Sequence, residues 1–305
     1  MTAMTDSTAV AQAIVAAHAS RFGGTSNGAT SFSSDDAVYR GAKQACATLG
    51  FIEVDAECLA NAWRAQTQRT ASFDANAWPD NPADFGMRPF PPSSRDDALP
   101  QCPMNLGLYA VLPDAEWVGR MARAGVPTVQ LRFKSGDARA IEREVHAAVE
   151  AVQGTDALLF INDHWRVAIA ARAYGVHLGQ EDLDALSPTE LQTLRASGLR
   201  LGVSTHGYAE MVRADAVSPS YIAMGAVYPT TLKQMATAPQ GVARLGVYAR
   251  LLRGYPQVGI GGVDAARMPE VLATGVGSVA VVRALVADAD PEAAVARLMA
   301  LCNAK

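Results

Sequence analysis

The residues of this chain with the types and spacing for chemistry are two aspartates and a set of cations, each just after a short apolar run. In VQLRFK, Val129 to Lys134, an amide and two cations (Gln130, Arg132 and Lys134) alternate with Val129, Leu131 and Phe133. IND then presents Asn162 and Asp163, GQED presents Gln180, Glu181 and Asp182, and VSTH presents Ser204, Thr205 and His206. Further on, YPTTLKQM carries Thr230, Thr231 and Lys233, GIGGV carries Gly261 and Gly262, and VVRAL carries Arg283. Asp163 and Asp182 can share one hard divalent cation. Magnesium takes one or two carboxylates and completes its octahedron with water and phosphate oxygens. Arg132, Lys134 and Lys233 suit the same phosphates. A glycine pair lets backbone N–H groups approach a second phosphate closely. The pattern therefore predicts two phosphate-bearing ligands, one with a metal and one without. The competing reading pairs Asp163 with Arg132, needs no metal, and makes GIGG a tight turn.

No serine or cysteine stands in a nucleophile arrangement. His206 sits where a general base would be useful, yet a structural, hydrogen-bonded histidine is the expectation. His18, His146, His164 and His177 are assigned no chemistry.

What must position these residues is a regular alternation beginning at Leu106. Strand patterns occur at 106–112, 128–133, 157–163, 175–180, 200–206, 221–229, 257–263 and 278–285. Amphipathic helical stretches lie between them, and DPEAAVARLMALC closes the series. Strands alternating with helices imply a parallel sheet with right-handed crossovers. Eight such units predict an α/β fold of the closed (β/α)8 TIM-barrel type, whose active sites lie at the C-terminal strand ends. An open doubly wound sheet is the alternative, but no G-x-G-x-x-G follows the first strand. In a barrel no strand face meets solvent. If Val129, Leu131 and Phe133 face the helices, Gln130, Arg132 and Lys134 point inward and need carboxylates or an anionic ligand.

Residues 1–77 read as a mostly helical N-terminal extension, with helices in DDAVYRGAKQACATLGF and DAECLANAWRAQTQRT. So few helices make a thin core, so they are expected to pack on the larger domain or on a partner. Residues 78–104 are rich in proline and read as an irregular linker, and 105–305 form the barrel domain.

The chain has 305 residues, half of them hydrophobic, and a formal net charge of -4, so nucleic acid is not an expected partner. No apolar run approaches the length of a membrane span, and the N-terminus lacks the basic start of a signal peptide. Cys46, Cys58, Cys102 and Cys302 form no C-x-x-C pair, which favours free thiols in the cytoplasm over a disulfide framework or a zinc site.

The motifs VQLRFK, IND, GVHLGQED, GVSTH, YPTTLKQM…APQG, GIGGV and VAVV, in this order, resemble the thiamine-phosphate synthase family over Leu106 to Cys302. The resemblance implies a barrel enzyme that joins 4-amino-2-methyl-5-hydroxymethylpyrimidine pyrophosphate to thiazole phosphate. Thiamine phosphate forms, pyrophosphate leaves, and Mg2+ assists. It implies further that Gln130, Arg132, Lys134 and Asn162 hold the pyrimidine substrate, that Asp163 and Asp182 carry magnesium, and that Ser204 lies beside the reacting centre. Thr230 and Lys233 would close over the substrates, and the backbone at Gly262, Val282 and Arg283 would hold the thiazole phosphate. A homodimer is also implied. Two positions depart from the family pattern. Leu232 stands where a hydroxyl is usual, with Thr231 as the substitute, and Arg283 stands where the family has serine. A thiazole tautomerase-like barrel and a non-catalytic phosphate-binding barrel are the alternatives. ATLGFIEVDAECLANAW faintly resembles the last helices of hydroxymethylpyrimidine phosphate kinase, which makes the extension a non-catalytic remnant or a packing element.

Overall fold

Eight parallel strands close on themselves in chain order. They are β1 (Leu108–Leu112), β2 (Thr128–Leu131), β3 (Leu158–Asn162), β4 (Gly175–Leu178), β5 (Arg200–Thr205), β6 (Tyr221–Met224), β7 (Gln257–Ile260) and β8 (Ser278–Val281). The structure is a computed structural model and describes residues 6–23, 31–230 and 238–304. Each predicted strand appears, and a helix follows each in the right-handed βα rhythm of a barrel. Several helix starts follow from local chemistry. Asp114, Asp137 and Asp290 each accept a backbone N–H of the first turn, and Ser187 forms a capping box with Glu190 ahead of Pro188. No described helix is long and apolar enough to cross a membrane.

The two strand faces separate into two apolar layers. Val129, Leu131, Leu159, Ile161, Val176 and Leu178 join the large cluster between strands and helices. Tyr109, Val111, Phe160, Tyr221, Ala223 and Val258 fill the barrel, with Leu106 and Cys102 from the chain before β1. Size alternates inside the barrel to keep it close-packed. A Cβ on Gly202 would come within 2.1 Å of the Tyr221 ring, its register partner on β6.

The expected strand at 128–133 is shorter than its alternation suggested: β2 ends at Leu131. Arg132 N still bonds Leu112 O of β1 at 2.7 Å, and Lys134 extends from the mouth beyond the ladder. Lys134 is 59% exposed at its side chain, because a long cationic stem can carry its charge to water at no desolvation cost.

The N-terminal region contains α1 (Ser7–Phe22), α2 (Ala37–Thr48) and α3 (Glu53–Thr70). These helices pack on one another and, through α3, on the barrel helix Tyr208–Ala216. A Cβ on Gly41 would meet Val10 at 2.5 Å, so glycine is what lets α1 and α2 approach. The proline-rich stretch lies packed along the barrel surface instead of hanging free. Trp78 Nε1 donates to Tyr208 Oη at 2.9 Å, Leu99 N donates to Ser218 O at 3.2 Å, and Arg95 makes a buried ion pair with Asp215 at 2.7 Å. The apolar faces that three helices could not cover alone are thus covered within the same chain.

Candidate active site

A cavity of about 870 Å³ opens at the C-terminal ends of the strands, within the size range of small-molecule sites. On the β2–β4 side it is lined by Gln130, Arg132, Lys134, Asn162, Asp163 and Asp182. Across the barrel, Gly262, Val282 and Arg283 line it from the ends of β7 and β8. Ser204 and Thr230 line it from β5 and from the segment after β6. Thr231 and Lys233 lie outside the described residues.

The charged wall is built around Asp163. This residue has φ +65°, a conformation that aspartate tolerates better than most side chains, and its N–H bonds His177 O of the adjacent strand at 3.0 Å. Its carboxylate accepts from Lys134 Nζ at 2.6 Å. The alternative partner considered from the sequence, Arg132, is not the one used. Among the described residues the Arg132 guanidinium makes no hydrogen bond or ion pair, although it lines the cavity. Asp182 faces Asp163 closely enough to share a hydrogen bond, and burial together with the Asp163 charge raises its carboxyl above the usual range. Two carboxylates in contact favour a proton or a cation between them. No third His, Cys, Asp or Glu joins them among the described residues. The pair therefore fits a cation that takes two protein oxygens and fills its other positions from water and ligand, which is the habit of magnesium.

The floor of the cavity is a hydrogen-bonded chain running across the barrel. Gln130 Nε2 donates to Asn162 Oδ1 at 2.8 Å, and Tyr109 Oη donates to Gln130 Oε1 at 2.8 Å. Tyr109 and Tyr221 hydroxyls are 2.7 Å apart, Tyr221 Oη is 2.6 Å from His177 Nδ1, and His177 Nε2 is 2.7 Å from Ser204 Oγ. Each phenol has one proton. With Tyr109 donating to Gln130, Tyr221 donates to Tyr109, His177 Nδ1–H donates to Tyr221, and Ser204 donates to His177 Nε2. The direction of the whole chain follows from the Gln130 amide orientation. Gln180 Nε2 also holds Ser204 O at 2.7 Å. Tyr109, His177 and Tyr221 were not singled out from the sequence. The signal available was their inward parity on β1, β4 and β6, the same parity that turns Gln130 toward the centre. Tyr221→Phe is expected to cost about 1–3 kcal/mol of stability, because it leaves buried partners unsatisfied at both ends. Urea unfolding measures this, and an unchanged midpoint would contradict the chain as described.

The opposite wall is backbone. Gly261 and Gly262 have φ +106° and +66°, and a Cβ on either would strike Ala226 or Pro229 O at 2.6–2.7 Å. Glycine is thus needed for both conformation and space. Arg267 Nη1 ties back the Gly262 carbonyl at 2.7 Å. The Arg283 guanidinium, like that of Arg132, is unpaired among the described residues. His206 takes the structural role expected of it. Its ring Nδ1 lies 2.7 Å and its backbone N 2.8 Å from Glu210 Oε2. Burial alone would raise Glu210, but the hydrogen bonds from His206 hold it below the usual carboxylate range.

Comparison with known proteins agrees with this geometry. The profile of the family described as Thiamine monophosphate synthase matches residues 108–285. The chain is 54% identical over 196 residues to a thiamine-phosphate synthase of Neisseria meningitidis serogroup B, spanning 64% of this chain and 94% of that one. It is 51% identical over 205 residues to the thiamine-phosphate synthase of Salmonella typhimurium, spanning 67% and 96%. A solved thiamine phosphate pyrophosphorylase from Pyrococcus furiosus superposes with a TM-score of 0.58 at 29% identity, covering 65% of this chain and 96% of that one. The family model begins at residue 108 and leaves the first hundred residues aside. With the eight-stranded barrel and the residues at its mouth, they establish that this chain belongs to the thiamine monophosphate synthase family.

Proposed function

We propose that the cavity binds hydroxymethylpyrimidine pyrophosphate against its β2–β4 wall and thiazole phosphate against its β7–β8 wall. The carbon that loses pyrophosphate is then attacked by the thiazole nitrogen to give thiamine phosphate. The observation that carries this reading is the pair of walls: Arg132, unpaired among the described residues, beside Lys134, Asp163 and Asp182 on one side, and positive-φ glycine backbone with Arg283 on the other. The aminopyrimidine can carry cationic character as pyrophosphate departs, so the protein needs no nucleophile. Its work is to stabilise the leaving anion and to hold the thiazole nitrogen in line.

Arg132 and Lys134 bind the pyrophosphate oxygens and keep positive charge where negative charge grows. Lys233, from the segment after β6, is assigned to the same anion, and Thr230 and Thr231 to covering the substrates. Gln130 and Asn162, fixed to each other, leave Asn162 amide protons to meet acceptors on the pyrimidine ring. Ser204, held by His177 and Gln180, stands at the junction of the two substrates. Backbone groups at Gly262, Val282 and Arg283 hold the thiazole phosphate. Asp163 and Asp182 would hold magnesium, which supplies Lewis-acid charge to the departing pyrophosphate when bound. Four cysteines without a disulfide support a cytoplasmic setting. A homodimer is part of the same proposal, and sedimentation equilibrium checks it.

The test is to supply both substrates with Mg2+ and follow pyrophosphate release. Release is expected to stop with EDTA and return with added Mg2+. Full activity after rigorous metal stripping would remove Asp163 and Asp182 from the reaction. Binding of both phosphates without any release would favour a non-catalytic barrel.

A further inference from the structure

The helix Tyr208–Ala216 begins at the active site, three residues after the end of β5, and it lacks a cap of its own. Its N-cap residue is Gly207, which offers no side chain to its first amides. The cap arrives from α3 of the extension. Asp55 Oδ1 accepts from Ala209 N at 2.9 Å. Gly207 itself is extended, at φ 179° and ψ -176°, so its backbone admits any residue. What excludes a side chain there is Asp55. A Cβ on Gly207 would lie 2.0 Å from Asp55 Oδ2.

Asp55 is only 3% exposed and makes no ion pair among the described residues. Burial pushes its carboxyl up to about 6 against the bond from Ala209 N, so its charge is held at a cost. A carboxylate can turn either oxygen to an N–H donor, whereas a carboxamide has one acceptor oxygen. Around this contact Phe85 of the proline-rich segment stacks on Tyr208 at 5.1 Å, and Gly50 O of the extension accepts from Arg244 of the next barrel helix at 2.8 Å. On the other side of Gly207 lie Ser204, bonded to His177, and His206, clamped by Glu210; both line the cavity.

We infer that Asp55 is a positioning residue for the active site, capping the helix after β5 from the extension and so fixing the turn from the end of β5 at Ser204 to Gly207. The extension is then a brace for the reaction centre, with no need of an activity of its own. The inference rests on the synthase reading above only for its kinetic readout.

Three variants test it: Asp55→Ala, Gly207→Ser and the two combined, with Asp55→Asn as a near-isosteric control. At temperatures where circular dichroism shows each protein fully native, Asp55→Ala is expected to lower kcat/KM for pyrophosphate release roughly fivefold to tenfold, the effect of one lost cap. Gly207→Ser alone is expected to do similar harm, because its side chain meets Asp55. The combined variant should recover most of the loss, since serine then caps the helix locally. Asp55→Asn should fall between Asp55→Ala and the parent. Wild-type kcat/KM in both Asp55 variants, or a double variant no better than Asp55→Ala, would overturn the inference. Recovery of melting temperature without recovery of kcat/KM would overturn it too. Hydrogen exchange at residues 204–210 reads this turn whatever reaction the barrel performs. It should quicken in Asp55→Ala and slow again in the combined variant, and unchanged exchange counts against the cap even if the assay shows no turnover.

Discussion

Lys134→Ala is expected to lower turnover at least ~100-fold, with Asp182→Asn close behind it. The reason is the timing of charge. Pyrophosphate gains negative charge as its bond to carbon breaks, so a fixed cation beside it is worth more in the transition state than before. Lys134 reaches the mouth on an exposed stem and sits 2.6 Å from Asp163, so it is already ordered there. Removing it takes one charge from the proposed anion site and leaves Asp163 and Asp182 facing each other with less compensation. Asp182→Asn takes a hard oxygen from the proposed magnesium site and should raise the Mg2+ concentration needed for half-maximal rate. Because Lys134 is 59% exposed, its loss should scarcely move the melting temperature, which separates chemistry from folding. Near-wild-type rates in both variants would withdraw this wall of the cavity from the mechanism.

Arg95→Ala should be the most destabilising single change in the segment that links the extension to the barrel, by about 3–5 kcal/mol. Arg95 and Asp215 are 3% and 1% exposed at their side chains. The guanidinium also donates to Pro89 O, Arg88 O, Asp215 O and Tyr255 Oη at 2.9–3.1 Å. Asp215 keeps partners in Arg88 N and Tyr255 Oη, yet without Arg95 its charge is buried uncompensated and several carbonyls lose their donor. Arg95→Lys should restore only part of the stability, since an ammonium keeps the charge but cannot span the same fork of acceptors. Urea unfolding measures both. A loss below about 1 kcal/mol for Arg95→Ala would mean that water replaces the guanidinium and that the segment is held by its apolar contacts.

Much of the barrel was legible because its rules are local. Apolar runs and amphipathic stretches located all eight strands, and the helix starts at Asp114, Asp137, Ser187 and Asp290, which were not singled out, are set by chemistry that acts within three residues. The inward direction of Gln130 followed from parity alone. Strand length did not, because the alternation of VQLRFK continues past the last ladder bond, and ladder bonds depend on the neighbouring strands. The Tyr109–Tyr221–His177–Ser204 chain was out of reach for a similar reason. Its members sit on four different strands, and only barrel closure sets which hydroxyl meets which nitrogen.

Sequence by itself determined the repeat of eight units, the order in which charged and glycine-rich ends arrive at one mouth, and the family they resemble. Tertiary structure alone decided the partners: Lys134 with Asp163 instead of Arg132, Arg95 with Asp215, and Asp55 on the helix behind Gly207. Each of these contacts joins residues that no periodicity connects. Their energies come from burial and from matched donors and acceptors, which exist only once the chain has closed around them.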